Sequence, residues 1–291
     1  MIRRPIFIIG NPRSGTTLLR LMLTCHRNIV IPPECGFAVW LAEKFVGWSS
    51  ADCDGWIDRL LPELMQCRKI ETWNLQLDGL RSFLKEAQPA TYPEAVGLVY
   101  EWYGISTGRS FCRWGDKNNF YLNHISAIKL MFEDAHFVHI IRDGRDVACS
   151  FNRLKAVSER SKYFPSIPER IEDTARQWRD NIRLVNRSFD KIGREAVVEI
   201  KFEDLLLNTI DTLRAVCESI GEPLDKSMLE YHCVNRERQL EPVEFLDWKG
   251  NTIKPPLRSA VGRYKTELDE EERRSFEGIA GDVLQALGYP N

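Results

Sequence analysis

Residues 6–17 read IFIIGNPRSGTT, and this stretch decides the fold. Residues 6–9 form a short apolar run rich in β-branched side chains, which is typical of a strand buried on both faces of a parallel sheet. After the glycine turn, apolar residues recur at helical spacing over residues 16–25. The segment is therefore predicted to form a strand, a tight turn and a helix.

The turn itself has the composition of an anion-binding loop. Backbone N–H groups and the positive end of the following helix converge there on any bound anion. The spacing from Gly10 to Thr17 matches the nucleotide-binding pattern G-x-x-x-x-G-x-[ST], but Thr16 stands where that pattern has lysine. Arg13, inside the loop, offers a planar fork of donors to phosphate or sulfate oxygens instead. Metal-free transfer of an anionic group fits this loop better than Mg²⁺-assisted phosphoryl transfer, which depends on the missing lysine.

Strands and helices alternate along the rest of the chain. Further short strands are predicted at residues 29–31, 137–141 and 196–200. Residues 36–106 are predicted to be largely helical, with breaks near residues 47–52, 77–79 and 88–93, and a last helix over 269–287. This pattern favours an α/β fold of the P-loop type with three layers, in which helices flank a central parallel sheet. One domain is expected over residues 1–291, with a helical insertion at 36–112.

Composition excludes several classes of protein. The 291 residues carry 40 Lys+Arg against 42 Asp+Glu, a net charge of −2, which argues against a nucleic-acid coat or a membrane-surface binder. Eight cysteines are scattered without a CxxC pair, so they are predicted to be reduced thiols rather than metal ligands. No apolar run has membrane-spanning length, and residues 6–9 are too short for a signal peptide. A cytoplasmic protein without a membrane span is expected.

Two motifs carry a resemblance to a known family. Residues 12–17, PRSGTT, are similar to the 5′-phosphosulfate loop of sulfotransferases that use 3′-phosphoadenosine 5′-phosphosulfate (PAPS). The resemblance implies that the donor is held by Arg13, Ser14, Gly15, Thr16 and Thr17. Residues 142–150, RDGRDVACS, resemble the 3′-phosphate motif of the same family. There the donor ligands would be Arg142, at the strand end, and Ser150, about two helical turns later.

Two further residues are candidates for the chemistry. Glu34 follows the predicted strand at 29–31, and therefore lies at the carboxyl edge of the sheet, where ligands bind in open α/β folds. The resemblance to tyrosylprotein sulfotransferases and their bacterial relatives implies that Glu34 is the general base. Trp114-Gly115-Asp116-Lys117-Asn118 is similar to their G-D-K-[TS]-P segment, which implies that Lys117 approaches the sulfuryl group and its bridging oxygen. Asn118 departs from that pattern but leaves the lysine intact.

Weaker similarities extend the resemblance along the chain. Phe202 replaces a tyrosine that contacts the nucleotide phosphate in several members, so that hydroxyl contact is lost. Residues 262–265, GRYK, look like the segment that closes over the donor, which implies Arg263 at a phosphate and Tyr264 near the nucleotide. A disordered basic loop is the competing interpretation of this segment. The aromatic residues of the insertion suit a flat or apolar acceptor, although such residues are more often core; they are Trp40, Trp48, Trp56, Trp73, Tyr92, Trp102 and Tyr103.

The predicted function is transfer of a sulfuryl group from PAPS to a small-molecule hydroxyl acceptor, aromatic or apolar, leaving 3′-phosphoadenosine 5′-phosphate (PAP). Glu34, Lys117 and Arg13 would act on the reacting groups, without a metal. One alternative is a P-loop small-molecule kinase, with Asp143 imitating a Walker-B carboxylate; another is a non-catalytic nucleotide-binding protein. No nucleic-acid partner is expected. The oligomeric state is left open, with a homodimer as one option.

Overall fold

A computed structural model describes residues 3–157 and 161–290, and its centre is one parallel sheet of five strands in the order β2-β3-β1-β4-β5. The strands are β1 (Arg3–Ile9), β2 (Ile29–Val30), β3 (Arg113–Lys117), β4 (His136–Ile141) and β5 (Val197–Lys201). The predicted strands at 29–31, 137–141 and 196–200 agree with β2, β4 and β5 to within one residue at each end. β3 carries three charged residues in five and was not recognised as a strand.

Helices connect the strands and cover the sheet. They are α1 (Thr16–Cys25), α2 (Phe37–Trp40), α3 (Cys53–Met65), α4 (Leu77–Ala87), α5 (Tyr92–Ser106), α6 (Ile125–Met131), α7 (Gly144–Lys155), α8 (Ile171–Ile192), α9 (Phe202–Leu207), α10 (Thr209–Ile220), α11 (Tyr231–Arg238), α12 (Leu246–Lys249), α13 (Tyr264–Glu267) and α14 (Glu270–Ala286). The predicted first helix coincides with α1. The predicted last helix contains α14, which opens with a capping box between Asp269 and Glu272.

The central strand explains why the fold has three layers. Phe7 and Ile9 belong to one buried apolar cluster, whereas Ile6 and Ile8 belong to another. Successive side chains of a strand point to opposite faces, so each cluster covers one face of the sheet. All four residues are fully buried. The predicted α/β fold with a central parallel sheet between helical layers is confirmed.

Helices α2 to α5 form the insertion between β2 and β3, and they pack on the cluster of Phe7 and Ile9. All the insertion aromatics named above are buried in that cluster or packed against it. Their sequence pattern therefore reflects packing. The break predicted at residues 77–79 is wrong, because α4 begins at Leu77; the chain instead leaves helical structure between Met65 and Leu77, through a short 3₁₀ turn at Ile70–Trp73.

All eight cysteines lie in the described part of the chain and are free thiols, five of them buried. None of the helices in the described ranges combines the length and apolar character needed to cross a membrane.

Candidate functional site

One cavity lies at the carboxyl edge of the sheet, and a residue at or after the end of each strand lines it. The cavity has a volume of about 360 Å³. Its wall includes Arg13 after β1, Glu34 after β2, Lys117 at the end of β3, Arg142 after β4 and Phe202 after β5. Parallel strands end at the same edge, so residues far apart in sequence meet there. The predicted site residues Thr16, Thr17, Ser150 and Arg263 also line this cavity.

The phosphate loop presents free backbone donors to the cavity. Gly15 caps α1 at φ +91°, and no side chain caps the helix. The first N–H groups of a helix have no intrahelical partners, so those of Gly15, Thr16 and Thr17 are available to an anion. A Cβ at Gly15 would lie 2.3 Å from Cδ2 of Phe202, so packing and backbone conformation both require glycine.

Arg13 projects from the same loop, from a backbone with φ +70°. Its Nε donates to Ser150 Oγ at 3.1 Å, and its Nη2 donates to the carbonyl of Trp248 at 3.1 Å. Burial is the main cause, and repulsion from Arg142 the second, that lowers the pKa of Arg13 to about 10. Two neighbouring cations that repel each other favour binding of a polyanion.

Arg142 lies beside Arg13 and is nearly fully buried. It donates to the carbonyls of Arg13 and Ala260, at 3.0 and 2.9 Å, and its guanidinium lies 4.5 Å above the Phe202 ring. Arg142 Nε and Ser14 Oγ are buried without a hydrogen-bond partner in the described structure. Unpartnered buried donors are costly, and an anionic ligand would satisfy them.

Glu34 and Lys117 form an ion pair at the cavity wall. Lys117 Nζ bonds Glu34 Oε2, and Lys69 Nζ lies 2.5 Å from Glu34 Oε1. Burial raises the pKa of Glu34, but the positive charges of Lys117, Lys249 and Lys69 outweigh the effect of burial. The pKa of Glu34 therefore lies well below its ordinary value. The carboxylate is therefore held ionised, the state in which it accepts a proton.

Lys117 is itself positioned by a buried polar cluster. Its backbone N–H donates to Asp116 Oδ1 at 2.7 Å, and the hydroxyls of Tyr100 and Tyr121 both donate to Asp116 Oδ2. Tyr100 also stacks on Trp114 of β3. These contacts fix the end of β3 although Asn118 interrupts the similarity to the G-D-K-[TS]-P segment.

Sequence reasoning missed a second charged group beside the cavity. Lys249 Nζ lies 2.5 Å from Glu241 Oε1, and Arg20 of α1 lies 2.5 Å from Glu241 Oε2. Burial lowers the pKa of Lys249 to about 8, despite Glu241. Burial raises the pKa of Glu241, but Lys249 and Arg20 bring it down to about 2. No motif surrounds these residues, so the sequence carries no signal for them.

The aromatic wall of the cavity was also missed. Tyr163, Phe164 and Trp248 line it, and Phe164 packs edge-on against Trp248 at 5.6 Å. The insertion contributes Arg68 and Lys69 to the described lining, and none of its aromatic residues. The wall comes from irregular segments and a four-residue helix, which periodicity does not detect.

Arg263 and Tyr264, both predicted to lie beside the donor, follow a short 3₁₀ turn at Arg258–Ala260 and have different surroundings. Arg263 lines the cavity and donates from Nε to the carbonyl of Ser259 at 2.8 Å. Tyr264 is buried beneath Arg145, with the guanidinium 3.9 Å from its ring, and is not part of the described cavity wall. Its backbone N–H donates to Asp146. Tyr264 therefore has a packing role in this structure.

Asp143 forms an ion pair and a hydrogen bond with Arg145. Its Oδ2 lies 2.8 Å from Arg145 Nη2, its Oδ1 accepts from the Arg145 backbone, and it caps α7. It is buried and does not line the cavity. A Walker-B carboxylate has to face the nucleotide's metal, so this geometry disfavours the kinase alternative.

Comparison with known proteins gives one consistent family. The profile described as "Sulfotransferase family" matches residues 5–226. Protein-tyrosine sulfotransferase A of Caenorhabditis elegans is 24% identical over 290 residues, covering 98% of this chain and 67% of that protein. Protein-tyrosine sulfotransferase of Drosophila melanogaster is 23% identical over 292 residues, covering 98% of this chain and 51% of that protein. The chain thus spans between half and two thirds of these relatives.

The solved structures agree on the fold. The sulfotransferase domain from the curacin biosynthetic pathway superposes with a TM-score of 0.60 at 19% identity, covering 99% of both chains. At that identity the likeness establishes the architecture, while the residues that act must be argued from this chain's own geometry.

Proposed function

The chain belongs to the sulfotransferase family, and we propose that it moves the sulfuryl group of PAPS to a hydroxyl acceptor, with Glu34 as general base and Lys117 as the cation at the reacting centre. The observation that carries this proposal is that Glu34 and Lys117 share one cavity with the free amides of the phosphate loop. An acceptor hydroxyl and an anionic donor would meet between them.

The donor end is supported by charge and by unsatisfied donors. Arg13 and the loop amides would hold the 5′-phosphosulfate, while Arg142 and Ser150 would hold the 3′-phosphate, with Arg263 nearby. Arg142 Nε and Ser14 Oγ lack partners in the described structure, which fits a ligand rich in acceptor oxygens. Phe202 offers an apolar ring beneath Arg142 in place of the hydroxyl of other members.

The reaction follows from the pairing of Glu34 with Lys117. When a donor occupies the cavity, Lys117 exchanges its contact with Glu34 for the bridging oxygen of the phosphosulfate. Glu34 Oε2 then accepts the acceptor's proton as the acceptor oxygen bonds sulfur and the bond from sulfur to the bridging oxygen breaks. Lys117 and Arg13 neutralise the charge that develops on the departing PAP.

The acceptor side of the cavity supports a flat or apolar alcohol or phenol. Tyr163, Phe164 and Trp248 form its aromatic wall, and Glu34 lines the same cavity. Aromatic rings bind apolar surface with defined geometry. The insertion would shape this pocket through Lys69 and Arg68 rather than through its aromatic residues.

The test separates transfer from donor binding. Turnover is measured as PAP release with a panel of simple phenols and alcohols, and PAP affinity is measured by calorimetry. Glu34→Gln is expected to lower kcat by about 10²–10⁴-fold, the usual worth of a positioned base, with PAP affinity within a few-fold of wild type. Lys117→Ala is expected to lose turnover similarly. Full activity in Glu34→Gln would refute the assignment, and PAP binding without transfer to any acceptor would favour a non-catalytic nucleotide-binding protein.

A further inference from the structure

The turn between α3 and α4 holds the segment that carries the proposed base. Lys69 Nζ lies 2.5 Å from Glu34 Oε1, and Trp73 Nε1 donates to the carbonyl of Pro33 at 2.8 Å. Lys69 has 12% of its side chain exposed, and Trp73 is buried. The insertion therefore contacts both the backbone and the carboxylate of the same short segment.

We propose that Lys69 is a positioning residue for sulfuryl transfer, which holds Glu34 by Oε1 so that Oε2 faces the acceptor hydroxyl once Lys117 turns to the donor. The inference rests on the proposed function. It adds a role for a lysine that has no motif around it, in a turn of the insertion. Lys69 acts through Glu34 and touches neither reacting atom.

The two oxygens of Glu34 have different partners. Oε2 is bonded by Lys117 from β3, and Oε1 by Lys69 from the turn. A carboxylate that stays paired at one oxygen is held near its position when the other oxygen exchanges partners. Without Lys69, release of Lys117 would leave Glu34 with no direct cationic contact among the described residues.

The backbone of Lys69 supports a role for its side chain. It has φ +75°, the left-handed region that favours glycine or asparagine. Its carbonyl accepts from Thr72 Oγ1 at 2.7 Å, which closes the turn. Glycine would adopt this conformation with less strain, but it would lose the ammonium group that reaches Glu34.

Three lysines face Glu34, from three elements: Lys117 of β3, Lys249 of α12 and Lys69 of the turn. Lys249 is itself paired with Glu241, 2.5 Å away. Burial raises the pKa of Glu34, and these lysines lower it. With Lys117 engaged on the donor, Lys69 is the direct partner that keeps the carboxylate ionised at neutral pH.

The experiment compares Lys69→Met, Lys69→Gln and Lys69→Arg with wild type, using saturating PAPS and a phenol that wild type sulfates. A nearby cation lowers a carboxyl pKa by about 1–3 units. Lys69→Met and Lys69→Gln should therefore move the acid limb of the kcat–pH profile to higher pH, by about 1–3 pH units, with PAP affinity changed less than about threefold. Lys69→Arg should restore most of the wild-type profile. Lys44→Met removes an exposed lysine paired with Glu63 in the same insertion and serves as the matched control.

A second readout does not depend on turnover. Carboxyl-¹³C NMR of the PAP complex follows the titration of Glu34, whose signal is identified by its loss in Glu34→Gln. The same upward shift in Lys69→Met or Lys69→Gln is expected. An unchanged Glu34 titration and an unchanged kcat–pH profile in a folded, PAP-binding variant would overturn the role of Lys69. The proposed function would stand or fall separately, on the turnover of wild type and Glu34→Gln.

Discussion

Asp116 is a buried carboxyl group one residue before Lys117, and its surroundings act on its charge in opposite directions. Burial raises its pKa to about 7, although hydrogen bonds from Tyr100 and Tyr121 and the nearby Lys117 favour the ionised form. In the unfolded chain the same group has an ordinary pKa near 4. Folding therefore changes the pH at which this residue loses its proton.

This difference predicts a pH-dependent loss of stability. Because the folded pKa is above the unfolded one, the folded protein binds the extra proton between pH 4 and about 7. The contribution of Asp116 is fully present below pH 4 and declines as pH rises to 7, by at most about 1.4 kcal/mol per pH unit. Asp116→Asn removes this titration, so the stability of the variant relative to wild type should rise across that window.

Urea unfolding at several pH values measures the effect. Asp58→Asn, at an exposed carboxylate paired with Arg81, provides the control. If the free-energy difference between Asp116→Asn and wild type stayed constant from pH 4 to pH 7, Asp116 would not carry the titration.

At the scale of elements, the sequence predicted those helices and strands in which the repeat of apolar residues and the residues that mark the ends indicate the same element. α1 was predicted to the residue, since a glycine turn precedes it and apolar positions recur along it. β3 was missed because Arg113, Asp116 and Lys117 suggest an exposed loop, whereas all its residues are buried. Asp116 and Lys117 stand at the carboxyl end of the strand, beside the cavity, whereas Arg113 at the other end donates to the carbonyl of Arg4. A buried strand that supports a polar site departs in this way from the usual apolar pattern.

The start of α7 shows how packing constrains a motif residue. Gly144, in the RDG triplet, begins this helix, and a Cβ there would lie 2.6 Å from Trp178 and from Phe276. Trp178 Nε1 donates to the carbonyl of Arg142 at 3.0 Å. A displaced Trp178 would therefore disturb the backbone that carries Arg142.

Gly144→Ala is expected to destabilise the protein by about 1–3 kcal/mol, the usual cost of overpacking, and to weaken PAP binding. Thermal unfolding and calorimetry measure both effects. Gly278→Ala is the matched control, because Gly278 lies within α14 and a Cβ there meets nothing within 4 Å. That variant should gain up to about 1 kcal/mol from helix propensity. Equal stability of the two variants would contradict this account of the motif glycine.

For the molecule as a whole, residues predicted from separate motifs line one cavity because topology gathers the carboxyl ends of parallel strands at one edge. Arg13, Glu34, Lys117 and Arg142 could be named on that basis together with their motifs. Lys69 and Lys249 could not, since they come from a turn and a short helix whose paths depend on tertiary packing. The net charge of −2 gave no hint of this concentration of cations, of which Lys69, Lys117 and Lys249 are paired with Glu34 or Glu241.

Because separate strands supply the cations, a bound polyanion should stabilise the whole fold. PAP at 100 times its Kd is expected to add about 2.7 kcal/mol to the free energy of unfolding, by mass action, and the shift should persist in EDTA. ATP with Mg²⁺ should give a smaller shift, since Asp143 is engaged by Arg145.

Arg142→Lys should reduce the PAP shift, because lysine lacks the guanidinium fork. In the wild type two nitrogens of that fork donate to two carbonyls, and Nε is left for the ligand. Scanning calorimetry measures these shifts, with Arg183→Lys, at an exposed pair with Asp282, as the control. A larger shift with ATP and Mg²⁺ than with PAP would instead support the kinase alternative.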